Sequence, residues 1–580
     1  MCGIFGCYDI AGIDKNYCCK ALDQLRHRGP EAEGNWTSEN KCIFLGHRRL
    51  KIIDLSDSAN QPMISPDGRY IMVYNGEIVN YRSLRSKYKG SWDFVTASDT
   101  ETLLAMWSDE GLAALDKCVG MFAFAVFDTW LQTLTLVRDR FGVKPLYYAN
   151  LGENGFAFAS EIPPLLPLLK KIVPDKDMVR TYLETCLYEL CGRTFFSGIY
   201  SVNPGSVLVF DVRSNKTEEF KWYNLHEKIP DYSSADFSEL VEEGEKVIVN
   251  AISDHLIADV NVGINVSGGV DSSLLVSISK SYMSDIKLFS QDYEPPYSES
   301  YWVREIAGDS DLYLLQLTEK KIRERLEHTV GIQAEPFGGV TVIGYDYLYD
   351  FALSEEVTVL LDGNGVDEVF LGYDKYKTPN NNSFLSIDGS NGLRPDAISN
   401  RLRQESTVLP IADLRSNFPD PVRAMAAFDL LVDKIPRGLR FNDRMSMARS
   451  RELRVPFLDH RVVEFGFAVP SRYLLSDSMT KMLFRRIAQR WIPEHVAGAA
   501  KRSVQSPQRE WLSGPWRSLV LELITSESFA ERGWVDPATA KSIYHEYLRG
   551  LKENSLFLWQ WINLELWARR YIDSSEGPFS

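Results

Sequence analysis

The heptapeptide SGGVDSS, Ser267 to Ser273, lies between an apolar run, VNVGINV, and a helical pattern, SSLLVSISKSY. Two glycines after a strand let the backbone approach a ligand closely, and free amides and hydroxyls at a helix N-terminus favour an anion. Asp271 in this loop is explained if a magnesium ion lies between its carboxylate and bound phosphates. The loop lacks the G-x-x-x-x-G-K pattern of a Walker A motif. A tight turn with a serine cap is the alternative interpretation.

A second acidic turn, DGNGVDE from Asp362 to Glu368, follows the apolar run VTVLL. Ligands of open parallel sheets bind at the carboxyl ends of the strands. We therefore expect Asp367 to hold the same magnesium ion as Asp271. Taken alone, this turn would also fit a simple helix cap.

The chain around these turns alternates strands with helices from about residue 225, which indicates a parallel α/β sheet. From about residue 420 the pattern is mostly helical. The Asn/Ser/Gly-rich stretch near 378–395 predicts an exposed, mobile insertion, and the tail SEGPFS predicts disorder. We therefore expect a Rossmann-like domain over residues 225–580.

The first part of the chain, residues 1–215, has a different pattern. Short β-branched or aromatic runs such as GIFGCYDI and GMFAFAVFD are separated by Gly, Asp and Asn, with helical stretches near CCKALDQLRH and DTETLLAMWSDEGLAAL. SGIYSVNPGSVLVFDVRSNKTEEFKWYNL predicts a final hairpin. This composition predicts sheets covered by helices.

Composition excludes several classes of protein. The net charge of −15 argues against a general nucleic-acid binder, which needs a basic face. No run approaches the roughly 18 apolar residues of a membrane span, and no secretory signal is evident. The eight cysteines include no C-x-x-C pair, so reduced thiols and a cytoplasmic location are expected.

The N-terminal stretch MCGIFG places a cysteine at position 2. Behind it come five polar clusters: RHRGPE, HRRLKIID, NGEI, SDTE and RDRFGVKPLYY. Each could be a surface turn. Together and in this order they resemble the class II glutamine amidotransferases over about residues 2 to 200. That family has an N-terminal-nucleophile fold, an αββα sandwich.

The resemblance assigns chemistry to individual residues. If Met1 is removed, the free α-amine of Cys2 has a pKa near 8 and can act as the base for its own thiol. Asn75 and the Gly76 backbone N–H would stabilise the oxyanion. Arg49 would bind the glutamine α-carboxylate, and Glu77 and Asp99 would bind its α-ammonium. Glu31 replaces the usual aspartate of the R-H-R-G-P-D string, which preserves the charge.

The SGGVDSS loop resembles the pyrophosphate loop of the ATP pyrophosphatases. Joined to a glutaminase, it resembles the glutamine-dependent asparagine synthetase family from Cys2 to about Trp511. The family implies that ATP adenylates a carboxylate, with magnesium on Asp271 and Asp367, and that Lys481 in SMTKMLFRR stabilises charge. It also implies an internal passage for ammonia and, at the family level, a homodimer. The expected ATP-binding residues are Ser267, Gly268, Gly269, Asp271, Ser272, Ser273, Asp362 and Gly363.

The departures from the family lie near the expected acceptor site. Asn364 stands where the family usually has an acidic residue, and Ala334 precedes Glu335 and Pro336 where D-E-P is usual. We therefore keep two interpretations: aspartate is the acceptor and asparagine the product, or another carboxylate, such as a sugar uronic acid, is amidated. The intact Cys2, Asn75-Gly76, SGGVDSS and Lys481 disfavour a catalytically silent binding protein. The intact glutaminase disfavours a β-lactam-forming cyclase.

Overall fold

The computed structural model describes residues 2–378, 392–501, 506–550 and 554–573. Most of the predicted mobile insertion, the tail SEGPFS and Met1 lie outside the described residues. None of the helices in these ranges is both long and apolar enough to cross a membrane.

The N-terminal domain contains two antiparallel sheets, with strand orders β10-β8-β9-β1-β3-β2 and β12-β11-β7-β6-β5-β4. Its strands are β1 (Gly3–Asp9), β2 (Ala32–Thr37), β3 (Ile43–Arg49), β4 (Met63–Ile64), β5 (Tyr70–Ile78), β6 (Gly120–Asp128), β7 (Thr133–Arg138), β8 (Tyr147–Asn150), β9 (Gly155–Ala159), β10 (Ile199–Ser201), β11 (Ser206–Asp211) and β12 (Lys216–Lys221).

The two sheets pack face to face, and nearly every residue of β1, β3, β5, β6 and β9 is buried. Phe156 of β9 stacks on Phe210 of β11 with ring centroids 4.7 Å apart, in a cluster that both sheets supply. Helices cover the outer faces. They are α1 (Lys15–Asp23), α2 (Tyr81–Tyr88), α3 (Asp99–Glu110), α4 (Ala114–Lys117) and α5 (Lys176–Thr185). The predicted αββα sandwich is confirmed.

The predicted final hairpin is in fact three strands. NPG does not join two paired strands, because β10 before it belongs to one sheet and β11 after it to the other. β11 and β12 form the hairpin, and β12 carries the N-terminal sheet past residue 215.

The second domain is built on a five-stranded parallel sheet of order β15-β14-β13-β16-β17. The strands are β13 (Val262–Asn265), β14 (Lys287–Asp292), β15 (Leu312–Gln316), β16 (Val359–Leu361) and β17 (Glu452–Arg454). The order reverses at β13, so β13 and β16 meet where such sheets bind ligands. The predicted parallel α/β architecture is confirmed.

Helices surround this sheet and form most of the C-terminal part. They are α6 (Leu225–Lys228), α7 (Phe237–His255), α8 (Val270–Tyr282), α9 (Ser300–Ala307), α10 (Glu319–Gln333), α11 (Val340–Ser354), α12 (Val366–Val369), α13 (Asn400–Glu405), α14 (Pro421–Leu431), α15 (Lys434–Met447), α16 (His460–Ala468), α17 (Met482–Ala488), α18 (Glu494–Ala497), α19 (Gln508–Ser513), α20 (Arg517–Ile524), α21 (Glu527–Arg532), α22 (Pro537–Leu548) and α23 (Leu556–Tyr571).

The domains meet through buried polar contacts. Arg28, fully buried, donates to Glu161 of its own domain (2.7 Å) and to Asp443 of α15 (2.8 Å). Glu335, before α11, accepts from the Phe195 backbone N–H of the first domain (2.9 Å). These contacts fix the orientation of one domain on the other, since a buried charge must keep its partners.

Candidate active site

Cys2 immediately precedes β1 and is buried, with 8% of its surface exposed. Its backbone N lies 2.9 Å from Asn75 Oδ1, and its carbonyl accepts from Arg28 Nε at 3.0 Å. Burial raises the pKa of the Cys2 thiol. The thiol therefore needs a base, and the α-amine that removal of Met1 would free lies on the same residue.

Asn75 and Glu77 each have one buried polar atom without a hydrogen-bond partner among the described residues. With Asn75 Oδ1 facing Cys2, its Nδ2 is a donor with nothing to donate to. Glu77 Oε1 is likewise a buried acceptor that receives no hydrogen bond from the described residues, whereas its Oε2 accepts from Arg454. Buried polar atoms are rarely left unsatisfied, so both atoms suit a polar ligand.

Asp99, at the start of α3, is buried beside Glu77. Its Oδ2 accepts from the Tyr74 hydroxyl (2.7 Å) and the Ile78 N–H (3.1 Å), and its Oδ1 accepts from the Thr100 N–H. Burial, with Asp99 nearby, raises the pKa of Glu77 well above its usual range. The structure thus places the two predicted ammonium-binding carboxylates together.

Arg49, at the end of β3, makes contacts that the sequence did not predict. Its guanidinium donates to the Ser56 carbonyl (2.6 Å), to Asn60 Oδ1 (2.9 Å), and to the Ile53 and Asp54 carbonyls. It orders the loop after β3. Its predicted role on the glutamine carboxylate stays a prediction. In that role the Arg49 guanidinium would have to divide its N–H donors between the substrate carboxylate and these four oxygens.

His47 is the buried histidine of this region, and burial lowers its pKa to about 3. Its Nε2 lies 3.1 Å from the Tyr74 carbonyl, so the neutral ring donates there. A ring that binds a proton so weakly is a poor base for Cys2.

The second site surrounds a cavity of about 740 Å³ at the carboxyl ends of β13 and β16. The SGGVDSS loop joins β13 to α8. The Ser272 hydroxyl accepts from the Ser267 N–H at 3.2 Å. The Ser273 hydroxyl donates to the Gly269 carbonyl at 2.7 Å. A Cβ at Gly268 would lie 2.6 Å from the Trp302 Cβ, so the loop packs too closely for a side chain there. The predicted nucleotide-binding residues Asp362 and Gly363 follow β16 on the same wall.

Lys481 lies between the two carboxylates predicted to bind magnesium. Its Nζ is 2.7 Å from Asp271 Oδ2 and 2.7 Å from Asp367 Oδ1. Burial alone would raise the pKa of Asp367, but Lys481 and Lys501 lower it to about 2. Lys481 adopts a left-handed φ of 57°, a conformation that costs energy and that often marks a functional position.

Two carboxylates beside a phosphate-type loop suit magnesium, which commonly takes one or two carboxylates and phosphate oxygens. Within the described residues no group of three or more His, Cys, Asp or Glu could hold a metal by itself. Asp271 and Asp367 would therefore share the ion with a phosphate ligand, and Lys481 would compensate the remaining charge.

Several residues of this site were missed by the sequence analysis. Lys501 pairs with Asp367 at 2.8 Å and lies 3.7 Å from the Tyr373 ring centroid, but a single lysine in the sequence AGAAKR gave no signal. Gly372 lies against both Asp367 and Lys481. Glu368 ends the predicted acidic turn but had no predicted role. Burial and the neighbouring Asp367 raise its pKa to about 7.

The two residues that depart from the family have different surroundings. Asn364 lines the cavity, and its N–H donates to Asp362 Oδ1 at 3.1 Å. Ala334 instead caps the C-terminus of α10 and is buried, and its carbonyl accepts from Trp567 Nε1. The departure at Asn364 therefore faces the site, whereas that at Ala334 is in the protein interior.

Comparisons with known proteins match both domains. A family described as a glutamine amidotransferase domain matches residues 1–223, and one described as asparagine synthase matches residues 243–569. Asparagine synthetase [glutamine-hydrolyzing] 1 of Bacillus subtilis is 27% identical, over 100% of this chain and 98% of that protein. Amidase chry2 of Gibberella zeae is 27% identical, over 89% of this chain and 88% of that protein.

A solved structure of glutamine phosphoribosylpyrophosphate amidotransferase from B. subtilis, complexed with ADP and GMP, also matches. It is 16% identical, with a TM-score of 0.29, over 62% of this chain and 80% of that one.

Proposed function

Because the chain belongs to the asparagine synthase family, whose glutamine-hydrolysing members are carbon–nitrogen ligases, we propose that it is a glutamine-hydrolysing asparagine synthetase. One observation carries the proposal. Lys481, Asp271 and Asp367 meet beside the SGGVDSS loop, in a chain that also places Cys2 against Asn75.

The first half-reaction uses Cys2. Its thiolate attacks the glutamine carboxamide, and the α-amine of mature Cys2 takes the thiol proton. Asn75 Nδ2, unpaired and buried, donates to the oxyanion together with the Gly76 backbone N–H. Glu77 and Asp99 hold the substrate's ammonium. The α-ammonium of Cys2 returns the proton to the leaving nitrogen, ammonia departs, and water then hydrolyses the thioester to release glutamate.

The second half-reaction takes place in the cavity. A carboxylate oxygen of aspartate attacks the α-phosphorus of ATP, pyrophosphate leaves, and ammonia then displaces AMP to give the amide. Magnesium, held by Asp271, Asp367 and the phosphates, would neutralise the leaving pyrophosphate. The Lys481 ammonium lies beside both carboxylates and stabilises the negative charge that develops on the leaving pyrophosphate.

A second acceptor class has specific support. Asn364 faces the cavity where a charged residue would suit the aspartate ammonium, and a relative that aligns over 89% of this chain is named an amidase. The alternative is the same chemistry on another carboxylate, such as a sugar uronic acid.

The test supplies glutamine, magnesium, ATP and either aspartate or a nucleotide-linked uronic acid. Mass spectrometry of the products then identifies asparagine or a sugar carboxamide. Amide formation that does not depend on aspartate would overturn the assignment of asparagine as the product. If the protein released neither glutamate nor pyrophosphate, its assignment as an enzyme would be overturned.

The variant Cys2→Ala separates the half-reactions. Glutamine should no longer support synthesis, whereas added ammonium should support it at the wild-type rate, because the second site is intact. The measurement is amide formed with each nitrogen source. Synthesis from glutamine by this variant would contradict the nucleophile assignment.

A further inference from the structure

Arg454, the last residue of β17, contacts elements of both sites. It is fully buried. Its carbonyl accepts from the Asp362 N–H at 2.9 Å, at the start of the turn that lines the cavity. Its guanidinium Nη2 donates to Glu77 Oε2 at 3.2 Å in the glutaminase site. One residue therefore touches both the cavity turn and the glutamine-binding carboxylate.

The guanidinium is held so firmly that it can transmit a displacement. Nε donates to Glu452 at 2.6 Å, and Nη1 donates to the His255 and Ile257 carbonyls at 2.8 and 2.7 Å. A planar fork with all three nitrogens engaged cannot rotate alone. A shift of β17 therefore moves the atom that Glu77 faces.

On the cavity side, Arg454 is hydrogen-bonded to Asp362, which in turn contacts other residues that line the cavity. Asp362, whose N–H is bonded to the Arg454 carbonyl, accepts from Asn265 Nδ2 (3.2 Å) and from the Asn364 N–H (3.1 Å). A ligand that displaces this turn pulls on the backbone of β17 through one hydrogen bond.

From these contacts we propose that Arg454 couples the two sites: occupancy of the nucleotide site changes the affinity of the glutaminase site for glutamine through the Arg454–Glu77 contact. Arg454 is a positioning residue, since it acts on glutamine through Glu77. By linkage, glutamine changes the affinity for the nucleotide by the same factor. The proposal rests on the proposed function of both sites.

The test measures an equilibrium, because coupling is a binding free energy. In the full-length Cys2→Ala protein, which cannot consume glutamine, calorimetry gives the glutamine dissociation constant with no addition and with ATP and magnesium. We expect a change of at least about fivefold on adding ATP. The double variant with Arg454→Met should bring this ratio within about twofold of unity.

Two further variants separate coupling from loosening of the domain interface. Arg454→Lys keeps a cation but loses the fork, so it should retain part of the coupling. Arg444→Met is the matched control: Arg444 is also buried and also reaches the first domain, at the Tyr147 hydroxyl (2.7 Å), but it contacts neither Glu77 nor Asp362. It should keep the full ratio.

Three results would overturn the proposal: an unchanged glutamine affinity in the parent, full coupling in Arg454→Met, or equal loss in Arg444→Met. If Arg454→Met does not fold, Arg454→Lys decides, and coupling equal to that of the parent overturns the proposal. Failure of the proposed function is distinguishable, because the wild type would then release neither glutamate nor pyrophosphate.

Discussion

Asn75 shows how one side chain can serve two roles in the glutaminase site. Its Oδ1 faces the backbone N of Cys2, which leaves its buried Nδ2 unpaired. Replacing Asn75 by Ala removes this donor, so the glutaminase kcat should fall roughly 10²- to 10³-fold. Glutamate release measures the effect. Synthesis from ammonium is the internal control and should not change; an unaltered kcat would exclude Asn75 from the oxyanion site.

At the scale of single residues, the sequence predicted site residues that belong to recognisable motifs. It missed residues that lie outside those motifs and approach a site only in the folded chain. Cys2, Asp271 and Lys481 were all predicted, and the structure brings the last two together. Lys501 and Arg454 were not, because a single cation carries no spacing signal and its partners lie far away in the sequence. Their roles depend on packing that only the folded chain shows.

At the scale of elements, the turn after α12 is shaped around the lysine. A Cβ on Gly372 would lie 1.9 Å from Asp367 Oδ1 and 2.2 Å from Lys481 Cε. Gly372→Ala should therefore displace Lys481 and lower ATP-dependent synthesis on the order of 100-fold, the effect of a misplacement of about 1 Å. Pyrophosphate release measures it, and glutaminase activity should persist.

The matched control for this turn is Gly90→Ala. A Cβ at Gly90 meets nothing within 4 Å, so both activities should stay at the wild-type level. If Gly372→Ala retains pyrophosphate release, the close packing of this turn against Lys481 is not required.

Elements with strong hydrophobic patterns were predicted well, and those without them were not. β13 and β16 lie within the apolar runs VNVGINV and VTVLL and appear where predicted. β12 was missed as a separate strand because its sequence KTEEFK is polar, as suits an edge strand with much of its surface in water. β17 was missed because it is only three residues long and carries Glu452 and Arg454, whose burial depends on their mutual ion pair.

At the scale of the whole molecule, the domain interface should be sensitive to acid. Burial alone would raise the pKa of Glu161, but His27 and Arg28 lower it to about 2, from an ordinary value of 4.5. A carboxyl whose folded-state pKa is depressed contributes stability above its unfolded pKa, and that contribution is lost as the pH falls from about 4.5 to about 2. It is on the order of 3 kcal/mol.

Glu161→Gln tests this contribution. Urea unfolding should show the variant less stable than the wild type by on the order of 3 kcal/mol at neutral pH, with the gap closing between pH 4.5 and 2. The control Glu522→Gln removes an exposed partner of Arg569 and should have little effect at any pH. A gap that is constant down to pH 2 would contradict the assignment.

Arg28 has a further consequence for how such a protein could be divided or recombined. Its guanidinium holds the Cys2 carbonyl and, 415 positions away, the Asp443 carboxylate. The N-terminal segment is therefore not an interchangeable module. A chimaera that joins it to the synthetase half of a relative keeps Arg28, a buried cation that contacts Cys2, but loses Asp443 as its partner. Such a graft should succeed only where the new half carries an acidic residue at the position of Asp443.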